Sequence, residues 1–494
     1  MIIDYLKELI LQNFGFSPTK EQAEIVDSLC KFILTSTQDD VFILRGFAGT
    51  GKTSIVGALV KTMEQLQRKC VLMAPTGRAA KVFSLYSDHP AYTIHKRIYR
   101  QKSIDKDSIF SLNFNMLKNV LFIADEASMI SNDGLSASIY GTGRLLDDLV
   151  HFVYGGQGCR LILVGDTAQL PPVGEGESPA LNPDNLESLG LNATCRTLTE
   201  VVRQKNDSGI LWNATRLRLM IENEDIFVLP QIKLDGFADV HNIPGNELIE
   251  AISNCYSHDG IDETMVVCRS NKRAHIYNNG IRNQILWREE ELSSGDILMI
   301  AKNNYYWTEK ENSSKNTEKA EDGHENSGHE EPVMDFIANG DTAVVERIRN
   351  SRELYGFRFA DCVLRFPDYN DYEMEVTVLL DTLHAEAPAL TYEQNEKLFN
   401  SVMEDYMDIP NKKDRLKALK NDPYFNALQI KYAYAVTCHK AQGGQWENVF
   451  IDQGYMTEDM LGPDYFRWLY TAFTRATKHV FLVNWKEEQT LLHE

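Results

Sequence analysis

Residues 46–53 are Gly-Phe-Ala-Gly-Thr-Gly-Lys-Thr, and they limit the folds open to this chain more than any other segment does. An apolar run at 41–45, typical of a buried strand, comes directly before them, and a helix-like segment follows. In this context the glycines let backbone N–H groups converge on phosphate oxygens, and the helix adds its positive N-terminal end. The pattern therefore predicts a phosphate-binding loop on an α/β sheet.

The loop predicts binding of ATP together with Mg²⁺. We expect Lys52 to reach the β- and γ-phosphates, and Thr53 to ligate the metal. A chance match is the alternative, and the flanking strand and helix argue against it. The remaining nucleotide contacts are expected from the backbone of Gly46, Ala48, Gly49, Thr50 and Gly51.

Short apolar runs separated by helix-like segments place the loop in a parallel sheet. Each run is apolar on both faces and ends at polar or glycine-rich residues, which is the pattern of parallel strands covered by helices. Ligands of such sheets bind at the carboxyl ends of the strands. The runs lie at 41–45, 70–74, 120–124 and 160–164, with a second set at 264–268, 449–451 and 480–483.

Acidic and amide side chains follow two of these runs. Asp125 and Glu126 end a buried run that we expect one strand away from the phosphate-binding loop. Asp125 would hold Mg²⁺ through water, and Glu126 would orient or deprotonate an attacking water, which indicates hydrolysis rather than transfer to a metabolite. Gln169, after the next run, could hydrogen-bond both a γ-phosphate and water. A proline-rich turn without such a role is the alternative for Gln169.

Two arginines, Arg203 and Arg475, could complete such a site. The transition state of phosphoryl transfer spreads negative charge over the γ-phosphate oxygens, and a guanidinium group stabilises it by roughly 10³–10⁵ in rate. On residue type alone, a surface ion pair is the commoner role for either arginine.

The charge of the chain is acidic overall and unevenly distributed. There are 71 acidic and 50 basic residues, a formal net charge of −21, whereas a nucleic-acid binder usually carries a basic footprint. Six basic and two acidic residues lie between His95 and Val120, and eight acidic residues and three lysines lie between Glu309 and Pro332. Because the field that matters is local to a groove, the net charge does not exclude nucleic acid.

The sequence also predicts the cellular compartment of the protein. It has no run of about 18 apolar residues, so neither a membrane span nor a membrane partner is expected. The N-terminal segment, with Asp4 and Lys7, is interpreted as an amphipathic helix rather than a signal peptide. None of the eight cysteines has a zinc-like spacing, so we expect free thiols in a reducing cytoplasm.

In their order along the chain, these residues resemble the superfamily 1 helicases of the RecD/Dda-like branch (superfamily 1B, related to the Pif helicases). Residues 18–22 look like the family's Q motif, 46–53 match motif I, and 125–126 match motif II. The matches extend from Gln22 to Arg475, nearly the whole chain. Similar segments for motif Ia, the next DNA-contacting motif, and motifs III, V and VI lie at 74–81, 93–96, 165–172, 436–443 and 474–476.

The resemblance implies an α/β fold with two RecA-like P-loop NTPase domains in tandem. The first would carry a small pin insertion, and the second a β-barrel-plus-helical insertion. The polar, acidic stretch 309–332 is expected to be a mobile loop that unwinding does not need. The implied boundaries are 1–205 for the first domain, with its pin at about 97–118, 206–292 and 431–494 for the second domain, and 293–430 for its insertion.

The resemblance also assigns roles that residue type leaves open. Gln22 would read adenine, and Gly443 would contact the nucleotide. The catalytic set would be Lys52, Glu126 and Gln169, with Arg203 and Arg475 as arginine fingers. The phosphates of single-stranded DNA would be held by Pro75, Thr76, His95, Lys96, Thr437, His439 and Lys440.

One aromatic side chain of the pin could stack on a base, which is worth about 1–3 kcal/mol. The candidates are Tyr99, Phe110 and Phe114. Core packing is the commoner role for at least two of them.

The expected activity is ATP-dependent unwinding of DNA at junctions of single and double strands. The motor would translocate along single-stranded DNA, with a 5′–3′ polarity taken from the family alone. One alternative is a DNA-stimulated ATPase or translocase subunit that needs a protein partner in a recombination, repair or nuclease complex. A nucleotide-gated binding module with little turnover is a second alternative, and an RNA motor is a third.

Overall fold

The computed structural model describes residues 2–35, 37–101, 110–134, 141–202, 208–311, 334 and 336–491. It divides into two compact units, Met1–Leu248 with Ala441–Glu494 in the first and Ile249–Lys440 in the second. Three expectations lie outside the described residues: the role of Arg203, residues 102–109 of the pin, and residues 312–332 of the acidic stretch.

Helices and strands alternate along the chain. The helices are α1 (Ile2–Phe14), α2 (Lys20–Thr35), α3 (Lys52–Gln65), α4 (Gly77–Ser87), α5 (Ile94–Ile98), α6 (Leu145–Tyr154), α7 (Pro183–Ser188), α8 (Gly209–Glu222), α9 (Leu248–His258), α10 (Asn271–Gln284), α11 (306–311), α12 (Asp381–His384), α13 (Tyr392–Glu404), α14 (Lys412–Lys420), α15 (Cys438–Ala441) and α16 (Pro463–Phe473). The strands are β1 (Asp40–Gly46), β2 (Cys70–Ala74), β3 (Ala91–Thr93), β4 (Tyr99–Gln101), β5 (Phe110–Leu112), β6 (Leu121–Ala124), β7 (Arg160–Gly165), β8 (Asn192–Leu198), β9 (Ile232–Lys233), β10 (Val240–Ile243), β11 (Thr264–Cys268), β12 (Ile297–Ile300), β13 (Thr342–Leu354), β14 (Phe357–Phe366), β15 (Tyr372–Leu379), β16 (Leu428–Tyr432), β17 (Ala435–Thr437), β18 (Trp446–Asp452), β19 (Ala476–Val483) and β20 (Thr490–Leu491).

Six parallel strands form the main sheet of the first unit, in the order β3-β2-β6-β7-β1-β8. The residues Val41 to Leu44 of β1 are fully buried, which explains their unbroken apolar run. Strand β7 lies between β1 and β6, so the expectation that the strand of Asp125 is the immediate neighbour of β1 is wrong by one strand. The carboxyl ends of β6, β7 and β1 nevertheless lie side by side, where a parallel sheet binds its ligands.

The helices beside this sheet form a continuous apolar core. Leu6, Ile10 and Phe14 lie four residues apart, so they share one face of α1 and are its buried residues. They belong to the same core cluster as Ile55 and Leu59 of α3. The helix is amphipathic, as expected, because its other face remains accessible to solvent.

The C-terminal segment of the first unit contributes strands and a helix. Strand β19 pairs in parallel with both β10 and β18, and Phe450 stacks on Phe481 with ring centroids 4.4 Å apart. Helix α16 packs against α8. The first unit is therefore built from two separate stretches of chain.

The second unit contains a closed barrel of β12 to β16 and a parallel pair, β11 with β17. Asn278 of α10 ties the chain between β16 and β17. Its Nδ2 donates to the carbonyls of Tyr432 (3.0 Å) and Ala435 (2.9 Å), and its Oδ1 accepts from the backbone of Tyr434 (2.9 Å). The barrel strands span 297–432; the domain boundaries, including 293–430 for the insertion, stay a prediction.

A salt-bridge cluster and an apolar cluster stabilise this unit. Asp296 is fully buried and accepts hydrogen bonds from both Arg282 (3.0 Å) and Arg288 (2.5 Å). Because a buried carboxylate is costly unless it is paired, removal of both arginines would be strongly destabilising. Helices α13 and α14 pack on the barrel through an apolar cluster that includes Leu398, Leu419, Phe357 and Phe359.

Within the described part of the chain, no helix combines the length and the apolar character needed to cross a membrane.

Candidate nucleotide and nucleic-acid sites

The phosphate-binding loop connects β1 to α3. Gly49 and Gly51 have φ values of +77° and +86°, in the left-handed region that favours glycine. A Cβ on Gly51 would lie 2.6 Å from Nε2 of Gln22, so the loop has no room for a larger residue there. Helix α3 begins at Lys52, which brings its free N–H groups and positive end to the same place as the loop amides.

The ammonium group of Lys52 folds back over the loop. It donates hydrogen bonds to the carbonyl oxygens of Gly46 and, at 2.9 Å, of Phe47. A phosphate oxygen can replace either carbonyl as the acceptor. Thr53, the next residue of α3, is half-buried and carries the hydroxyl expected to ligate Mg²⁺.

Gln22, the residue expected to read adenine, is only 1% exposed. Its Nε2 donates to the carbonyl of Thr50 at 3.0 Å, and its Oε1 accepts from the backbone N–H of Thr19 at 3.0 Å. The side chain therefore ties the start of α2 to the phosphate-binding loop. One N–H and one lone pair of the amide remain for a purine.

Asp125 and Glu126 follow β6 directly. Glu126 has φ 50° and ψ 39°, a left-handed conformation that is uncommon for a residue with a side chain, and its backbone N–H donates to Oδ1 of Asp125 at 2.8 Å. Burial, and then the negative charge of Glu126, raise the pKa of the Asp125 carboxyl to about 7. A cation bound beside it would lower that pKa, because positive charge favours the carboxylate form.

A buried tyrosine hydroxyl connects the end of β7 to the phosphate-binding loop. Tyr470 of α16 donates to Oδ2 of Asp166 at 2.6 Å and accepts from the backbone N–H of Ala48 at 2.9 Å. Tyr470 and Asp166 are each 1% exposed. Reasoning from the sequence missed Tyr470, and the only signal that could have found it is its position five residues before Arg475.

The chain after Asp166 is held by two further side chains. The backbone N–H of Leu170 donates to Oγ1 of Thr471 at 2.9 Å, and its carbonyl accepts from Nε2 of Gln442 at 2.7 Å. The preceding residue, Gln169, is 8% exposed, and its Oε1 is buried without a hydrogen-bond partner among the residues that the structure describes. An unsatisfied buried acceptor costs about 1–3 kcal/mol, so a ligand group that donates a hydrogen bond to this oxygen would remove that cost.

Arg475 and Gly443 have contacts other than those expected of nucleotide ligands. Arg475 is 3% exposed, and its guanidinium donates to the carbonyls of Thr471 (3.1 Å) and Gly444 (3.2 Å). Gly443 lies against the start of α4, where an added Cβ would be 2.8 Å from that of Ala79. Their described contacts are thus with α16, its flanking chain and α4, and a role at the phosphates would require Arg475 to exchange partners.

A second buried cation, Arg218 of α8, lies beside the loop and was not anticipated. Its guanidinium carbon is 4.3 Å from the ring centroid of Phe47, and its Nη1 donates to the carbonyl of Thr199 at 3.1 Å. It is 7% exposed. Its positive charge favours the anionic form of the neighbouring Tyr470, although burial and Asp166 together keep the pKa of that hydroxyl well above its usual value.

Four of the expected DNA contacts lie at the starts of two helices. Pro75 precedes α4, and Thr76 caps that helix by accepting a backbone N–H of its first turn at 3.2 Å. His95 and Lys96 lie in the first turn of α5, which Thr93 caps in the same way at 3.2 Å. Burial lowers the pKa of His95 to about 4, so at neutral pH this side chain would be an uncharged hydrogen-bond partner.

Strands β4 and β5 form an antiparallel hairpin where the pin was expected. Tyr99 is 7% exposed and its hydroxyl donates to Asp148 at 2.7 Å, so it is a core residue. Phe114 is 71% exposed, with the guanidinium carbon of Arg100 5.0 Å from its ring centroid. The side chain of Phe110 lies outside the described part. Phe114 is therefore the aromatic side chain whose described surroundings leave it accessible to a base.

The other expected DNA contacts lie in the second unit. Thr437 ends β17, and His439 and Lys440 lie in α15. His439 is exposed, whereas Thr437 and Lys440 are half-buried and line a cavity that also includes Lys431.

Comparison with known proteins finds two domain models and several helicase-related proteins that are similar to this chain. A model described as an AAA domain matches residues 18–219, and one described as a UvrD-like helicase C-terminal domain matches residues 432–483. The ATP-dependent RecD2 DNA helicase of Deinococcus radiodurans is 30% identical over 39% of this chain and 23% of its own length. The RecBCD enzyme subunit RecD of Buchnera aphidicola is 22% identical over 98% of this chain and 76% of its own length. The chain is therefore similar to RecD and to a RecD2 DNA helicase, with matches to an AAA domain and to a UvrD-like helicase C-terminal domain.

Other similar proteins differ in how much of their length the chain spans. An uncharacterised protein of Methanocaldococcus jannaschii is 24% identical over 99% of this chain, which corresponds to 41% of that protein. Among solved structures, a Bacteroides Pif1 helicase in complex with ADP-AlF3 and single-stranded DNA has 14% identity and a TM-score of 0.45, with 97% of this chain and 95% of that one covered. The similarity to RecD2, to RecD and to the UvrD-like C-terminal domain agrees with the resemblance drawn from the ordered motifs.

Proposed function

We propose that this chain is an ATP-dependent DNA helicase that translocates 5′ to 3′ along single-stranded DNA and couples ATP hydrolysis to duplex unwinding. One observation carries the proposal: the carboxyl ends of β1, β6 and β7 lie side by side, in a chain that resembles superfamily 1B helicases. The loop with Lys52, the pair Asp125 and Glu126, and the turn with Gln169 are thereby placed at one edge of a parallel sheet.

The residues at this edge suit ATP and Mg²⁺. The hydroxyl of Thr53 and the carboxylate of Asp125 are the hard oxygen donors that Mg²⁺ prefers, the latter through water. When bound, the metal would neutralise charge on the β- and γ-phosphates. Lys52 would replace its present carbonyl acceptors with phosphate oxygens, and Glu126 would orient the attacking water and accept its proton.

We propose that Arg475, together with Arg203, neutralises charge on the γ-phosphate. Arg475 would have to release the carbonyls of Thr471 and Gly444, so its engagement would accompany a rearrangement around α16. Gln169 would donate to the γ-phosphate or accept from the attacking water, and its unpaired Oε1 supports the second use.

For nucleic acid, we propose phosphate contacts at the starts of α4 and α5 in the first unit, and at the segment 437–440 in the second. Hydroxyl and main-chain groups such as those of Thr76 bind phosphates without reading sequence. We propose the cytoplasm as the location, because all eight cysteines are free thiols, as a reducing compartment requires.

Strand separation on two partial duplexes, one with a 5′ single-stranded tail and one with a 3′ tail, tests the proposal. Lys52→Ala is the control, since it removes the phosphate-binding ammonium. We expect ATP-dependent unwinding from the 5′ tail only, abolished in the variant. Unwinding from the 3′ tail would refute the polarity and keep the motor. DNA-stimulated hydrolysis without unwinding would favour a translocase that needs a protein partner.

A further inference from the structure

A cationic cavity lies in the second unit, where the barrel strand β16, strand β17 and the start of α10 meet. Lys431 projects into it from β16, and Thr437 and Lys440 line it from β17 and α15. Asn271, His275 and Asn278 of α10 and Glu386 add further polar groups to the lining. Lys431 belongs to none of the segments from which DNA contacts were expected.

The two lysines of this cavity are close enough to repel each other and lack acidic partners. In the described residues, no carboxylate lies within ion-pair distance of Lys431 or Lys440, and Lys431 donates to the carbonyl of Ala385 instead. Burial, and then the charge of Lys440, lower the pKa of Lys431 to about 8. Burial also lowers the pKa of Lys440. The cavity thus holds two lysines without a carboxylate in ion-pair distance of either among the described residues.

The other titratable groups facing Lys431 do not neutralise the positive charge of the two lysines. Glu386 lines the cavity, and it is paired with Lys272 at 3.8 Å. His384 pairs with Glu291 at 2.9 Å. Burial, then the charges of Lys431 and His384, lower the pKa of His275, which leaves it neutral near pH 8. A tetrahedral oxyanion is the ligand that two ammonium groups, a hydroxyl and an amide would hold.

We propose that this cavity binds one backbone phosphate of the single-stranded nucleic acid, with Lys431 as a ligand beside Thr437 and Lys440. The inference rests on the proposed function, and it adds a residue of the barrel to the nucleic-acid contacts. Because a phosphate stabilises the charged form of Lys431, binding above pH 8 takes up a proton. Affinity therefore falls as the pH rises through about 8, in contrast to an interface of fully charged lysines.

The test is the affinity of the full chain for an oligo-dT strand, measured by fluorescence anisotropy across a series of salt concentrations at pH 7 and at pH 9. Lys431→Met removes the charge and keeps the length of the side chain. We expect about tenfold weaker binding at pH 7 and a salt slope smaller by about 0.7, the value for one phosphate contact on a single strand. Lys413→Met, an exposed lysine of α14, is the matched control and should change neither quantity.

Lys431→Arg keeps the positive charge at this position but removes its titration near pH 8. Arginine stays protonated at pH 9, so this variant should keep the salt slope of the wild type and lose most of the fall in affinity between pH 7 and pH 9. It also covers the case in which Lys431→Met fails to fold, which thermal melting would reveal.

The outcomes distinguish this inference from the proposed function. The phosphate site alone is overturned if the wild type binds normally and Lys431→Met has the same salt slope. It is also overturned if the wild type binds normally and Lys431→Arg has an unchanged pH dependence. Absence of single-strand binding by the wild type overturns the proposed function and the site with it. Displacement of the strand by inorganic phosphate at constant ionic strength would mean that the cavity prefers a free anion, and would overturn the assignment to the strand.

Discussion

At Glu126 the chain leaves β6 in a left-handed conformation, which costs on the order of 1–3 kcal/mol for a residue with a side chain. Hydrogen bonding of its N–H to Asp125 holds that conformation. Strain of this kind concentrates at functional sites, where the surrounding structure maintains it. It supports a specific placement of the Glu126 carboxyl group beside the Asp125 carboxylate, which we propose as a Mg²⁺ ligand.

Glu126→Gln should abolish turnover and spare nucleotide binding. The amide has the size of the carboxylate but cannot accept a proton from water, so we expect the DNA-stimulated kcat to fall about 10²–10⁴-fold. Steady-state ATPase assays with single-stranded DNA, together with binding of a fluorescent ATP analogue, measure the two effects. Equal ATPase rates in the wild type and the variant would instead favour a nucleotide-gated binding module with little turnover.

Phe114 is the residue on which the strand-separating role of the pin can be tested. Phe114→Ala removes an exposed ring that could stack on a base, worth about 1–3 kcal/mol, so we expect several-fold slower unwinding with unchanged DNA-stimulated ATPase. Phe227→Ala, which removes a ring that is 74% exposed elsewhere in the same unit, is the control. Equal unwinding rates in both variants would exclude Phe114 as the separating residue.

At the scale of elements, α16 is bonded to two nucleotide motifs at once. Tyr470 joins Asp166 to Ala48 of the phosphate-binding loop, and Thr471 holds the backbone of Leu170. Consecutive residues of one helix thereby contact both the loop after β1 and the loop after β7. A shift of α16 would change the hydrogen bonds of both loops together, which is a physical basis for coupling nucleotide state to the C-terminal segment.

Tyr470→Phe should separate this link from ordinary packing. The ring stays, but Asp166 loses a donor and the N–H of Ala48 an acceptor, so we expect a stability loss of about 1–3 kcal/mol and a DNA-stimulated kcat about tenfold lower. Tyr465→Phe is the matched control, because Tyr465 lies on the same helix and its buried hydroxyl donates to Gln453 at 2.9 Å. Thermal melts and ATPase kinetics compare the two. A similar loss of kcat in both variants would reduce the role of Tyr470 to packing.

At the scale of the whole molecule, the first unit depends on chain from both ends. Strand β19 pairs with β10, and Tyr470 and Gln442 bond residues of the N-terminal segment. The second unit, by contrast, is one continuous stretch whose barrel closes its own hydrogen bonds. Contacts made by distant segments form only when the complete chain is present.

Fragments should show this difference. We expect residues 249–440 expressed alone to unfold cooperatively on heating, because the closed barrel leaves its strands no free edge. We expect residues 1–248 alone to lack a cooperative transition, since β10 loses its partner and the buried Asp166 loses its donor from Tyr470. Differential scanning calorimetry against the full chain is the measurement. A sharp transition in fragment 1–248 would show that residues 441–494 are dispensable for folding.

The sequence by itself determined the parts of the site that depend on neighbouring residues. Gly49 and Gly51 predict the loop because only glycine adopts its φ values at little cost, and the loop forms between β1 and α3 as predicted. The same holds for Asp125 and Glu126, which stand directly after an apolar run. The order of the motifs predicted a resemblance to RecD-like helicases, and the comparisons find RecD2 and RecD among the similar proteins.

Tertiary structure alone decided the contacts between distant segments. The position of β7 between β1 and β6 follows from how the strands cross over, which a list of apolar runs does not specify. The hydroxyl of Tyr470 meets Asp166 across 304 positions of the chain, and Gln22 is tied to Thr50 across 28. Lys431 and Lys440 share a cavity because a barrel strand ends beside β17. No local sequence pattern predicts any of these pairs. Side-chain chemistry determines what a residue can bind, and only the packed fold determines which partner is within reach.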